Sequence, residues 1–237
     1  MRLAALGITP PALDAVFLTH LHSDHVSDFN DVVTTRWVMS VAEAPLRVVG
    51  PPGTAAFVDR TLEMLRDDIG YRIAHHDDLN WQPTCDVTEV DEGTAFEQNT
   101  VRVTAAPTDH RPVAPTVGYR FEHDGAAVVL AGDTVPCEGL DRLCAGADVY
   151  VQTVVRRSIV ESVPMQRFRD ILDYHSSTDD ALRTASRAGV GTLVYTHCVP
   201  PIPAGGEQNL LDEARGQFAG ELVIPRDLDV VTVAKRG

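Results

Sequence analysis

The sequence predicts one α/β domain spanning residues 1–237, and three observations point there. The 237 residues are 44% hydrophobic, enough for a single sizeable core. Short apolar runs of strand length alternate with segments of helical spacing. Several of those runs end directly on His or Asp, the arrangement of strands that carry functional groups to a loop edge.

The stretch that organises the rest is Thr19-His20-Leu21-His22-Ser23-Asp24-His25. It follows Val16-Phe17-Leu18, which reads as a short buried strand delivering three imidazoles and a carboxylate to a loop. Alternation along the extended backbone puts His20 and His22 on one side, where a single metal ion can take both. Asp24 and His25 follow at the turn, point apart, and suit a second ion beside the first. With nine His in the whole chain, this spacing behind an apolar strand is a two-metal signature.

Composition bounds the function. The net charge of −14 makes the average surface acidic and, taken globally, opposes a polyanionic partner. No apolar run approaches membrane-spanning length, so a soluble protein is expected. Cys85, Cys137, Cys144 and Cys198 show neither a Cys-x-x-Cys pair nor dense disulfide spacing, and read as reduced, packed thiols of a cytoplasmic protein. Cys198 follows the candidate ligand His197 and is assigned a structural role.

Taken in order, residues 1–6 read as a helix tail closed by Gly7, and Ile8-Thr9-Pro10-Pro11 turns into the first strand. Residues 26–39 have near-helical apolar spacing, and that helix would aim the positive end of its dipole at a bound anion. Residues 46–49 form a strand, Gly50 to Thr54 a turn ending in an N-cap, and residues 55–69 a helix. His75-His76-Asp77-Asp78 lacks strand-turn context and reads as a solvated polar loop. Strands follow at 85–90, 101–105, 116–122 and 126–130, the last two joined by the tight turn His123-Asp124-Gly125. The second half predicts a strand at 147–155, an amphipathic helix at 165–174, and a helix at 178–188 capped by Ser177 and stopped by Gly189. A strand over 192–196 ending on His197, a helix at 207–218, and strands at 222–224 and 229–233 complete the chain.

The His20–His25 stretch resembles the His-x-His-x-Asp-His signature of the metallo-β-lactamase superfamily. Redox members typically carry an acidic residue at the position of His22, so the resemblance implies hydrolysis. His110 in Thr108-Asp109-His110, followed by Gly118-Tyr119, resembles the third-ligand motif. Asp133 ends a buried strand at Gly132 and is the natural bridge, since one carboxylate between two dications offsets their repulsion. The implied set is His20, His22 and His110 on one ion, Asp24, His25 and His197 on the other, with Asp133 shared. Imidazole and carboxylate without thiolate suit two zinc ions best, although manganese would also be accepted. The implied fold is an αββα sandwich. The opening strands and Asp-Cys-Gly-like segment of the family are not found before the signature, so the expected sandwich is N-terminally incomplete, with exposed apolar sheet edges that either are covered by a homodimer or leave the chain poorly soluble.

Tyr174-His175-Ser176-Ser177-Thr178, the helix bearing Ala181, Ala185 and Ala188, and Thr196-His197 resemble the ribonuclease Z branch. The likeness to actinobacterial ribonuclease Z-like proteins is especially close in Thr108 to Pro112 and Ala131 to Cys137. It implies a zinc phosphodiesterase that cuts the 3′ trailer from precursor tRNA, with Asp24 as proton acceptor and His175 as proton donor to the departing 3′-oxygen. Two departures stand out. Many members read His-Glu-Ala where this chain has Gln152-Thr153-Val154, which removes a carboxylate that would orient His175. The turn at His123 to Gly125 leaves no room for the long arm with which many ribonuclease Z proteins grip tRNA. A second enzyme reading therefore puts the same ions to work on a small ester, lactone, sulfate ester or lactam, and a third makes the protein a metal-stabilised scaffold. Arg156, Arg157, Arg167 and Arg169, with Arg111 beside a ligand, form either a tRNA-backbone patch in place of the arm or a set of solvated, acid-paired arginines.

Overall fold

The computed structural model describes residues 2–233. The chain divides into two compact units, Met1–Val90 and Asp91–Gly237.

The first unit holds β1 (Val16–Phe17), α1 (Ser23–Val26), α2 (Phe29–Met39), β2 (Leu46–Gly50), α3 (Thr54–Met64), α4 (Arg66–His75) and β3 (Cys85–Glu89). Its strands form a parallel sheet in the order β1-β2-β3, with Val16 opposite Val48 and Leu46 opposite Cys85. β2 is apolar because it is the central strand: Leu46, Val48 and Val49 are buried, and Leu46 and Val48 pack with Leu18, Phe29, Val33 and Val58. Before β1 the chain makes a 3₁₀ turn at Leu3–Leu6, closed by Gly7 at φ 71°. Arg36 of α2 ties this leader down, donating to the carbonyls of Pro10 and Leu13 at 2.9 Å and of Ala44 at 2.9 Å. One guanidinium thus fixes both the entry to β1 and the entry to β2.

Two helices differ from the sequence reading. The expected helix over 26–39 begins at Phe29, because Ser27 and Asp28, residues that favour caps, separate it from the single turn of α1. The expected helix over 55–69 breaks at Leu65, since the two halves serve different cores: Val58 packs with β2, whereas Ile69 packs with Trp37 and Leu79. The cap of α3 also comes from elsewhere. Thr54 lies inside the helix, and the Glu89 carboxylate at the end of β3 accepts from the amides of Gly53 (2.8 Å) and Ala55 (2.9 Å).

The second unit holds β4 (Gly93–Gln98), β5 (Val101–Pro107), β6 (Val117–His123), β7 (Ala126–Leu130), α5 (Glu138–Cys144), β8 (Val149–Val155), α6 (Arg157–Ser162), α7 (Gln166–Arg169), α8 (Thr178–Ala188), β9 (Thr192–Val199), α9 (Glu207–Ala214) and β10 (Glu221–Val223). They build a seven-stranded sheet in the order β10-β9-β8-β7-β6-β5-β4. β4 to β7 pair antiparallel and β7 to β10 parallel. The switch at β7 follows from its connections. Asp124 (φ 49°) and Gly125 (φ 80°) make the two-residue hairpin into β7, whereas α5, α8 and α9 carry the later crossovers. Val129, Leu140, Tyr150, Leu182, Leu193 and Tyr195 form the centre of the core.

α8 follows its sequence signals closely: Ser177 and Asp180 form a reciprocal capping box, and Gly189 ends the helix at φ 66°. β4 went unrecognised, being a polar edge strand in which Ala95 alone is fully buried. The helix expected over 165–174 is α7 followed by a 3₁₀ turn at Asp170–Asp173. Residues 229–233 carry no strand; the Asp229 carboxylate instead accepts from the Arg226 amide at 2.8 Å, a local turn that competes with pairing.

Candidate metal centre

In the first unit the expected ligands gather behind β1. His20 is fully buried, and its Nε2 lies 3.2 Å from Nδ1 of His22, on the same side of the chain as alternation requires. Donor atoms about 2.0–2.1 Å from a tetrahedral zinc ion sit about 3.3 Å apart, so this pair has the spacing of two ligands on one ion. Thr19 Oγ1 contacts the other nitrogen of His20 at 3.1 Å, holding the ring in place. α1 starts directly after His22 and turns Asp24 and His25 out of the strand direction. The His25 ring packs 4.2 Å from that of His20, and its Nε2 lies 3.5 Å from Asp24 Oδ2.

In the second unit three loops converge at the ends of β5, β7 and β8. His110 is fully buried, and its Nδ1 donates to the Tyr174 carbonyl at 2.8 Å. That bond places the proton on Nδ1 and leaves the Nε2 lone pair facing Asp133 Oδ2 at 3.9 Å. Asp133 is 3% exposed, a burial that a carboxylate tolerates only against strong partners. His175 supplies one: its Nε2 lies 3.2 Å from Asp133 Oδ2, while its Nδ1 faces the Ile171 carbonyl at 3.0 Å. The carbonyl can only accept, so Nδ1 carries a proton and Nε2 is the nitrogen turned toward the carboxylate. The orienting group that the sequence lacks as a side-chain carboxylate is thus a backbone carbonyl in the 3₁₀ turn.

Two residues overlooked in the sequence hold these loops together. Thr134 Oγ1 accepts from the Asp109 amide at 3.0 Å, and its carbonyl accepts from both the amide (2.8 Å) and the hydroxyl (2.7 Å) of Ser176. Val135 closes the set by donating its amide to the Asp109 carbonyl at 2.9 Å. Each of His110, Asp133 and His175 is therefore the chain neighbour of a residue in one hydrogen-bonded staple. Their only trace in the sequence is adjacency to the ligands in Gly132-Asp133-Thr134 and His175-Ser176. Gly139 adds a contact from α5: a Cβ there would lie 1.8 Å from the Pro107 oxygen, so helix and strand end meet backbone to backbone just before His110.

His197 lies on β9 at φ 45°, in the left-handed region that a non-glycine residue adopts at a cost. The β8–β9 register shifts there, with Thr153 opposite Thr196 but Val155 opposite Val199, a bulge that re-aims the side chain. A cleft of about 530 Å³ opens beside it, lined by Ile202, Glu207, Ile224 and Arg226. Burial pushes the neighbouring Cys198 thiol up, with Arg156 opposing, which suits the packed role expected of it. Neither His75 nor His76 joins a ligand-type cluster among the described residues.

The arginines are mostly engaged. Arg156 donates to the carbonyls of Pro200 (2.9 Å) and Pro201 (2.6 Å), so its role is to hold the segment after His197. Arg111 forks onto Asp109 at 2.6 and 2.9 Å, a bond that holds the Asp109 carboxyl below its usual range. Arg157 lies 3.8 Å from Asp180, and Arg167 is exposed on α7.

The chain matches the beta-lactamase superfamily domain over residues 2–198. It is 54% identical over 234 residues to the ribonuclease Z of Mycolicibacterium paratuberculosis, an alignment covering 98% of this chain and 84% of that protein. Among solved structures it superposes on the metallo-beta-lactamase fold protein YhfI of Bacillus subtilis with a TM-score of 0.66 at 21% identity, covering 95% and 80% of the two chains. Against the short form of human tRNase Z the TM-score is 0.65 at 20% identity, covering 98% and 83%. At those identities the structural matches establish the metallo-β-lactamase fold.

Proposed function

The chain belongs to the ribonuclease Z family of the beta-lactamase superfamily and is a metal-dependent hydrolase, and from that premise we propose a zinc phosphodiesterase that removes the 3′ trailer from precursor tRNA. His20, His22 and His110 would hold one ion and Asp24, His25 and His197 the other, with Asp133 common to both. The donor set fits: the imidazole nitrogens of His20 and His22 have the spacing of a shared ion, and His110 is held in the ligating tautomer by the Tyr174 carbonyl. When bound, two such ions lower the pKa of water and stabilise the attacking and leaving oxygens of an in-line displacement.

This chain's own residues do the rest. Asp24, exposed to solvent at the start of α1, accepts the proton of the attacking water. His175 gives a proton to the 3′-oxygen as its bond to phosphorus breaks, because an alkoxide is a poor leaving group. The products are a tRNA ending in a 3′-hydroxyl and a trailer beginning with a 5′-phosphate. The observation that carries the assignment is the contact of His175 with both Asp133 and the Ile171 carbonyl, which fixes the ring and aims Nε2 at the Asp133 carboxylate. We extend the reading to a cytoplasmic homodimer.

The hairpin at Asp124 and Gly125 favours the small-substrate reading, since β6 and β7 are joined with no intervening arm. Turnover of precursor tRNA measured beside panels of esters, lactones and lactams decides between the two. A kcat/KM for precursor tRNA at least a hundredfold above that for any small ester supports tRNA processing. Hydrolysis of the panel with no cleavage of precursor tRNA overturns it.

A further inference from the structure

Gln152 is the one long polar side chain in the middle of β8, and it is fully buried. Glutamine is seldom found there, because an amide taken out of water must find partners for every donor and acceptor. Here it does. Nε2 donates to the Gly132 carbonyl at 3.2 Å and to the Thr153 carbonyl at 2.8 Å. Oε1 receives the hydroxyl of Tyr150, itself fully buried. The orientation of the amide is unambiguous, since two carbonyls can only accept and must face the nitrogen. Tyr150 is therefore the donor to Oε1, in agreement with burial pushing its phenol well above the usual range.

The partner that matters is Gly132. It sits at φ 68°, where the chain leaves the β7 run and turns to present Asp133. Its carbonyl belongs to the peptide bond that carries the Asp133 amide, so whatever holds that oxygen sets the plane from which the carboxylate departs. Thr134 is held on the far side by Ser176. Gln152 holds the near side. An apolar side chain of the same volume would fill the strand position as well and bury no polar atom, so packing does not account for the amide.

We infer that Gln152, braced by Tyr150, is a positioning residue that fixes the Gly132–Asp133 peptide and through it the shared carboxylate of the hydrolytic site. The inference rests on the assignment of Asp133 as a metal ligand, and the tests separate the two. Gln152→Met keeps the volume and removes both hydrogen-bonding ends. Tyr150→Phe removes only the brace and leaves Nε2 on Gly132. Each loses buried hydrogen bonds, so both should melt at lower temperature than wild type when metal-free. Zinc affinity, read by competition with a chelator, should fall about 10–100-fold in Gln152→Met and less than about threefold in Tyr150→Phe. A parallel loss in the two variants, or a lowered melting temperature with unchanged zinc affinity in Gln152→Met, would overturn the inference.

Wild-type NMR gives a second test that needs no variant to fold. The side-chain amide signals of Gln152 should shift on zinc loading together with the Asp133 backbone amide, and signals that stay put count against the coupling. Wild type that takes up no zinc would refute the ligand assignment alone. The positioning claim would then be judged on the Asp133 amide resonance, which must differ between wild type and Gln152→Met and would refute the claim by coinciding.

Discussion

Replacing His175 by Ala separates chemistry from architecture in this site. The side chain makes two contacts, Nδ1 to the Ile171 carbonyl at 3.0 Å and Nε2 to Asp133 Oδ2 at 3.2 Å, and it is buried. Loss of the contact to the carboxylate removes about 1.5–3 kcal/mol of charge-assisted hydrogen bonding, offset in part because water can enter the space left behind. The staple formed by Asp109, Thr134 and Ser176 does not involve the imidazole, so the loop should keep its place. Catalysis responds differently. A general acid contributes about 10²–10⁴-fold, or ~3–5 kcal/mol of barrier, when the leaving group is an alkoxide, and almost nothing when it is a nitrophenolate that departs unprotonated. The assay is kcat on a substrate with a ribose 3′-oxygen leaving group beside kcat on bis(p-nitrophenyl) phosphate, for wild type and His175→Ala. The first rate should fall by that factor and the second by less than about threefold. Equal losses on both substrates would show that His175 shapes the site and transfers no proton.

Other outcomes follow from the same geometry. Wild type should carry about two zinc per chain by elemental analysis, and Asp133→Ala should lose most of both if its carboxylate is common to them as proposed; a mutant that retains two ions removes Asp133 from the ligand set. Reversing Arg157 and Arg167 to Glu should raise the KM for precursor tRNA and flatten its dependence on salt by roughly 0.7 per lost phosphate contact, with hydrolysis of a small phosphodiester unchanged; Arg156 is unsuitable for this test because it holds Pro200 and Pro201. Gly139→Ala should cost about 1–3 kcal/mol or more in denaturant unfolding, because its Cβ would meet the Pro107 carbonyl, and should weaken zinc binding through the displaced His110 loop. Burial opposes ionisation of Asp180, but hydrogen bonds from Ser177 and Arg183 outweigh it and hold its carboxyl below the usual range. A depressed carboxyl stabilises the fold above its unfolded value of about 3.9 and ceases to do so as pH falls through the folded value. The stability difference between wild type and Asp180→Asn should accordingly be full at neutral pH and vanish in acid.

The chain order alone determined the features that depend on neighbouring residues. Strand runs leading to His20 and Asp133 could be read because an apolar stretch and the polar residues that follow it are adjacent, whereas β9 runs on through His197 to Val199. The α8 helix was legible to the residue, since Ser177, Asp180 and Gly189 act within one turn of the ends they define. The hairpin at Asp124 and Gly125 could be read for the same reason. Only the tertiary structure decided which side chains hold the functional ones. Glu89 caps α3 from another strand, Ser176 and Thr134 staple three loops, the Ile171 carbonyl stands in for an absent carboxylate, and Arg156 holds a turn, which neither the phosphate-patch nor the acid-paired reading of the arginines foresaw. The left-handed backbone at His197 is equally invisible in the sequence, because it arises from a register shift between β8 and β9. Periodicity and caps are written in local spacing, whereas a hydrogen bond between distant residues leaves no spacing to read: its partners are chosen by the fold that brings two buried polar groups together and penalises either one left alone.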